Sequence, residues 1–139
     1  MLPLCRGTNM GLFKYLDSIT PKIYILSIGN EITIAKIGYT KKDIEKRIKD
    51  YKFSGEWKGK ECEIKIHAIF ENPKAEAIED YAIAILNRHG IEKTNDKNLG
   101  SGYTEWYNCQ PTKIQSCVAL AIRYLEICAL FEQPISLNI

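Results

Sequence analysis

Residues 22–40, KIYILSIGNEITIAKIGYT, constrain the fold more than any other part of the chain. Two β-branched apolar runs, IYILSI and ITIAKIG, flank Gly29, Asn30 and Glu31, which carry turn chemistry. The pattern predicts two adjacent antiparallel strands joined as a hairpin, with the Gly-Asn pair in or near its loop. One residue breaks the apolar character: Lys36 stands inside ITIAKIG, where burying an ammonium is costly. A lysine in that position calls for a functional reason.

Beyond Gly38 the pattern turns helical, with Thr40 expected as N-cap and Asp43 in an acidic first turn. Ile44 and Ile48 share a face at four-residue spacing, which leaves Lys46, Arg47 and Lys49 on the others. FSGEWKGKE reads as a loop, and CEIKIHAIF alternates as a third strand that Glu71, Asn72 and Pro73 stop. AEAIEDYAIAILNRHG then forms a long helix, with Ala77, Ile78, Tyr81, Ile85 and Leu86 as packing positions and His89 and Gly90 at its end. EKTNDKNLGSG is expected to be a flexible loop, and a short aromatic stretch, YTEWYNC, follows it. PTKIQSCVALAIRYLEICALFEQ predicts a last helix, apolar enough to pack across the sheet or against a partner chain. The expected architecture is a small α/β (α+β) domain with a three-stranded, mainly antiparallel sheet flanked by helices. It divides into an arm (1–21, with a short helical stretch at LFKYLDSI), a main domain (22–109) and a C-terminal helix (110–139).

At 139 residues and 45% hydrophobic content, the chain has material for one compact core. Its net charge of +2 announces no nucleic-acid partner, so any basic surface must come from local clustering, as in KKDIEKRIKDYK at 41–52. Cys5, Cys62, Cys109, Cys117 and Cys128 form no CxxC pair and no Cys/His spacing that closes a zinc site, and are expected to be buried free thiols. The start shows no signal-peptide apolar region, and the late run CVALAI is interrupted by Arg123 and Glu126. The expectation is therefore a cytoplasmic protein with no membrane-spanning stretch.

Tyr24, Lys36, Arg47 and Glu79, followed by Glu105-Trp106-Tyr107, form an ordered set that resembles the GIY-YIG nuclease superfamily. Lys22-Ile23-Tyr24 stands where that family has GIY, and Lys36-Ile37-Gly38 where it has YIG, with eleven residues between Tyr24 and Lys36. The resemblance is closest to a phage- and restriction-associated branch whose second motif reads KIG, any residue, Thr, as KIGYT does here. AIEDYAIAIL and TEWY match that branch's helix and late aromatic patterns, so the resemblance spans about residues 22–108. Lys22 and Lys36 depart from the family name, and Asn108 stands near the place of an Asn that many members carry.

The resemblance implies a divalent-metal-dependent endonuclease that hydrolyses phosphodiester bonds of DNA. It implies Mg2+ or Mn2+ held by Glu79, an ion that keeps several waters and takes further ligands from substrate phosphate. Tyr24 is the candidate general base. A free phenol titrates at about 10, so a neighbouring cation such as Lys36 suits it, and Lys36 is itself the alternative base. Arg47 suits the scissile phosphate through its permanent charge and forked donors. Tyr39, Lys41, Lys42, Lys46, Lys49 and Lys52 are the nucleic-acid contact candidates.

Each residue also has a plainer reading. Tyr24 alone would be a core aromatic, the lysines a solvated helix face, and Glu79 an exposed carboxylate, with Glu76 as its rival for a metal. Glu105 is either a second carboxylate near the site or a structural acceptor fixing its loop, with the structural role favoured; Trp106 and Tyr107 read as packing, and His67 and His89 as a strand position and a helix end. Two other functions compete with the nuclease. One is a catalytically inactive, nuclease-like module that binds nucleic acid or protein; the other is an assembly factor, a homodimer built on the last helix.

Overall fold

The computed structural model describes residues 20–30, 33–100 and 105–132. The expected arm up to residue 19, the hairpin tip at 31–32, the end of the expected loop with the start of the aromatic stretch at 101–104, and the stretch 133–139 lie outside the described residues. Among the described residues four strands, β1 (Lys22–Ile28), β2 (Ile34–Thr40), β3 (Lys65–Glu71) and β4 (Trp106–Tyr107), form one sheet in the order β3-β1-β2-β4. Every pairing is antiparallel. The α+β class is as expected, but the sheet has four strands instead of three. The extra strand comes from the stretch read as a short aromatic segment: Trp106 pairs with Lys36 and Tyr107 with Ala35.

β1 and β2 are central and covered on both faces, which is why they read as nearly unbroken apolar runs. One face carries Ile23, Ile25, Ala35 and Ile37 and packs under two helices, α2 (Ala75–Arg88) and α3 (Pro111–Glu132). The other carries Tyr24, Leu26, Ile28 and Ile34 and packs against Tyr51, Leu99 and Trp106, with Ile44 and Ile48 of the short helix α1 (Ile44–Lys49) alongside. The two central strands therefore separate two cores. α3 feeds Ile114, Cys117, Val118 and Ala121 into the first of them.

Several local expectations change. Asp43, not Thr40, caps α1, its carboxylate accepting from the Glu45 amide at 3.2 Å. Thr40 ends β2 and holds the intervening turn by accepting from the Lys42 amide at 2.9 Å. β3 begins only at Lys65, because Glu61–Glu63 coil into a single 3-10 turn. Within β3 the register against β1 slips between Ile25 and Leu26, whose partners are Ala68 and Ile66. His67 is left as the extra residue and reaches Gln115 of α3 at 2.7 Å. A bulge of this kind interrupts an otherwise exposed sheet edge.

α2 buries Ala75, Ile78, Ala82 and Leu86, a stripe rotated from the expected one. Tyr81 is exposed and meets the Tyr124 ring of α3 instead, with centroids 4.9 Å apart. The stretch 92–100, expected to be flexible, is anchored: Leu99 is fully buried, Trp57 donates to Asp96 at 2.6 Å, and the Ser54 amide donates to the Asn98 carbonyl at 2.8 Å. Of the thiols described, Cys117 is buried, Cys109 and Cys128 are half-buried and Cys62 is exposed, so the buried-thiol expectation fails at Cys62.

α3 also corrects the membrane expectation. By length and mean hydropathy of 1.6 it is long and apolar enough to cross a membrane, since Arg123 and Glu126 interrupt it too sparsely to prevent that. One side of it is nevertheless committed to α2 and the sheet. Its other side leaves Leu120, Tyr124, Ile127 and Phe131 exposed in a row at spacings of four, three and four.

Candidate active site

The hairpin register brings the first two candidates together. Tyr24 lies opposite Gly38 and Leu26 opposite Lys36, so Tyr24 and Lys36 occupy the same face of the sheet on neighbouring strands. Gly38 makes the approach possible. A Cβ at that position would lie 2.4 Å from both Cζ and Oη of Tyr24, inside van der Waals contact. In Lys-Ile-Gly, the lysine supplies charge and the glycine supplies the space in which the Tyr24 ring lies.

α1 delivers Arg47 to the same point, its Nε donating to Tyr24 Oη at 3.4 Å. Tyr24 Oη is also 2.9 Å from the hydroxyl of Tyr51, a residue that sequence reasoning passed over. The Tyr51 ring sits edge-on to Trp106, with centroids 6.2 Å apart, and has Lys36 Nζ and Arg47 Cζ each 5.5 Å from its centroid. It thus binds both cations by their attraction to an aromatic face. Burial pushes the Tyr51 phenol far above its ordinary value, so it stays protonated as a hydrogen-bonding group. The one sequence signal for it is its spacing of four from Arg47, at the end of the basic run.

Lys36 is 1% exposed and faces Glu105 Oε2 at 3.1 Å. Among the described residues that carboxylate is its one ion partner, and no other acceptor lies in hydrogen-bond geometry to the ammonium. Burial lowers its pKa, and the Glu105 carboxylate pulls it part of the way back. Glu105, for which the sequence leaves a second carboxylate near the site as the alternative to a structural acceptor, is therefore the ion partner of the most deeply buried charge among the described residues.

Glu79 stands on the second turn of α2, half-buried, close enough for its charge to bear on Lys36, Glu105 and Tyr107. Burial pushes its carboxyl up to about 7, with Lys36 opposing and Glu105, Asp80 and Glu76 adding to the rise. A half-buried carboxylate that resists ionisation suits a site for a cation. Among the described residues no group of three or more His, Cys, Asp or Glu side chains is placed to enclose a metal. The donors present, Glu79 with Glu105 nearby, fit a hard ion that keeps most of its waters.

The remaining candidates scatter. Tyr39 alternates to the α2 face, where Glu76 pushes its phenol up, so it is not brought to Tyr24 and Lys36. Lys42, Lys46 and Lys49 line a concavity of about 440 Å3 with Asp50, beside Arg47. Lys41 and Lys52 are exposed at either end of that segment, and Asn108 is exposed beyond β4. Burial pushes the Cys109 thiol up to about 11, which makes it a poor nucleophile.

This is a small α+β domain with a cationic, aromatic-lined site on one sheet face. Residues 22–122 match the T5orf172 domain, and the chain belongs to that family, a phage-associated one tied to nuclease-like folds and compatible with a nuclease-like or DNA-binding role. The match includes the first half of α3, the part that packs into the core. No curated protein and no solved structure gives a significant match.

Proposed function

We propose that the chain is a divalent-metal-dependent DNA endonuclease of the GIY-YIG kind. The observation that supports this most is the convergence of Tyr24, Lys36 and Arg47, drawn from two strands and a helix, around the Tyr51 ring. Arg47 would hold the scissile phosphate, because its planar fork matches two phosphate oxygens and its charge is permanent. Tyr24 Oη, already fixed by two hydrogen-bonding neighbours, would accept the proton of the attacking water. Tyr24 has to be a phenolate before it takes that proton and becomes a phenol as it does so; Lys36 would stabilise the phenolate form, and the same burial that lowers the lysine's own pKa makes its neutral amine the alternative acceptor. Its ammonium, paired with Glu105 at 3.1 Å, would also offer positive charge to the phosphate as negative charge builds there. Glu79 would hold Mg2+ or Mn2+, which when bound offsets phosphate charge and assists the leaving oxygen.

Cleavage of supercoiled plasmid with Mg2+, with Mn2+ and with EDTA tests this reading. The wild type is expected to nick or linearise the plasmid only with metal, and Tyr24→Phe to lower the rate by about a hundredfold or more. DNA binding without cleavage under every condition would shift the function to an inactive nuclease-like binding module.

The exposed row on α3 favours a second property, self-association. Residues at four-three-four spacing form the seam by which two helices pair. Sedimentation velocity over a range of concentrations is expected to show a dimer that Tyr124→Lys converts to monomer. A concentration-independent monomer would remove this reading.

A further inference from the structure

Arg47 is engaged in two directions. Its Nε faces Tyr24 Oη at 3.4 Å, and its Nη1 lies 3.9 Å from Oδ2 of Asp50. The same Asp50 oxygen accepts from Lys42 Nζ at 3.3 Å. Asp50 closes α1, and its backbone amide donates to the carbonyls of Arg47 and Ile48, so the helix end fixes where its carboxylate can reach. The concavity it shares with Lys42, Lys46 and Lys49 is otherwise cationic, and among the described residues Lys46 and Lys49 make no ion pair.

One carboxylate oxygen gathering a lysine and an arginine does what a non-bridging phosphate oxygen would do for the same two groups. We propose that Asp50 is an internal competitor for nucleic-acid phosphate: it holds Lys42 and Arg47 in the free protein and yields them when backbone phosphate enters. The inference rests on the nuclease reading and deepens it by naming the residue that sets how readily the site takes up polyanions. Asp50 is a positioning residue, since it acts through Arg47 and Lys42.

The energetics allow the exchange. The side chains of Lys42, Arg47 and Asp50 are all substantially exposed, and ion pairs in such surroundings are weakly held. A phosphate offers Arg47 a charge-assisted, forked pair and releases counterions as it binds, so it outcompetes a single carboxylate. Asp50 therefore raises the threshold for binding without blocking it. It also keeps the Arg47 guanidinium extended towards Tyr24 before substrate arrives.

The test is fluorescence anisotropy of a short labelled DNA duplex with the full chain at low and high salt. The proteins compared are wild type, Asp50→Asn, Asp50→Glu and Glu45→Gln, each checked for unchanged thermal unfolding. Asn keeps the backbone cap of α1, and Glu45→Gln removes the same charge from the same helix without touching Lys42 or Arg47. Asp50→Asn is expected to bind about three- to tenfold more tightly at low salt, with the gain shrinking at high salt. Asp50→Glu should stay near wild type, and Glu45→Gln should gain clearly less than Asp50→Asn. Equal gains for Asp50→Asn and Glu45→Gln would reduce the effect to net charge and overturn the inference. An unchanged or weaker Asp50→Asn, beside a wild type that binds, would overturn it too while leaving the nuclease reading in place. If neither wild type nor Asp50→Asn binds, the nuclease reading falls and takes the inference with it.

Discussion

Glu79→Gln is expected to abolish cleavage and, at the same time, to make the protein more stable at pH 8. Both effects come from one carboxyl group. In the folded chain burial pushes it up to about 7, against about 4.5 in an unfolded chain. Below the lower value it is protonated in both states and contributes nothing to pH dependence. Between the two the unfolded chain gives up its proton more readily than the folded one, so stability falls as pH rises. Above about 7 the full cost of the buried negative charge is present. The whole shift would correspond to about 3 kcal/mol, and the side chain's partial exposure to solvent reduces this to about 1–2 kcal/mol. For a domain of this size that corresponds to a rise in Tm of about 3–8 °C at pH 8 and almost none at pH 4. Cleavage should fall by about a hundredfold or more, because a neutral amide is a poor ligand for a hard cation. Calorimetric melts at the two pH values and the plasmid assay read the outcomes separately. A Glu79→Gln variant that cuts normally would end the metal assignment; one that gains no stability at pH 8 would show that the charge carries no burial cost. A site that is costly while empty is consistent with a residue kept for function.

The parts of this architecture that are legible in the sequence are those set by local pattern. The hairpin follows from two β-branched runs around Gly-Asn, and Lys36 stands out because one charge interrupts an apolar strand. Arg47 can be placed near Tyr24 only because a short helix directly follows β2. What escapes notice depends on distance in sequence. Tyr51 sits just past α1, where no periodicity applies, and its value lies in touching Tyr24, Lys36, Arg47 and Trp106 at once. β4 has two residues, too few to show alternation, and is a strand because Trp106 and Tyr107 complete the edge of β2. Glu105 stays open between a site carboxylate and a loop acceptor because nothing in TEWY reveals that the next residue pairs with Lys36 and brings the carboxylate to its ammonium. Tyr81 falls on the wrong side of α2 because its neighbours fit two overlapping apolar stripes, and packing chooses the one through Ala82.

Gly38→Ala is expected to lower both stability and cleavage. In an ordinary strand, replacing glycine with alanine gains about 0.5–1 kcal/mol by restricting the unfolded chain. Here the added methyl would stand 2.4 Å from the Tyr24 ring, which is 1% exposed and hemmed in by Tyr51 and Trp106. Overpacking at such a site costs about 1–3 kcal/mol, so the clash outweighs the entropic gain and Tm should fall. The ring can escape only by leaving its place beside Arg47 and Tyr51, so cleavage should fall about as far as in Tyr24→Phe. A double-mutant cycle separates this steric account from a general weakening of the strand. In a Tyr24→Ala background the space over residue 38 is open, and Gly38→Ala should then be neutral or slightly stabilising. The same loss of stability in both backgrounds would mean that the backbone at residue 38, and not the Tyr24 ring above it, requires the glycine. A strong positive coupling would mean that the glycine of Lys-Ile-Gly is required because the Tyr24 ring must lie against the sheet there for its hydroxyl to meet Arg47.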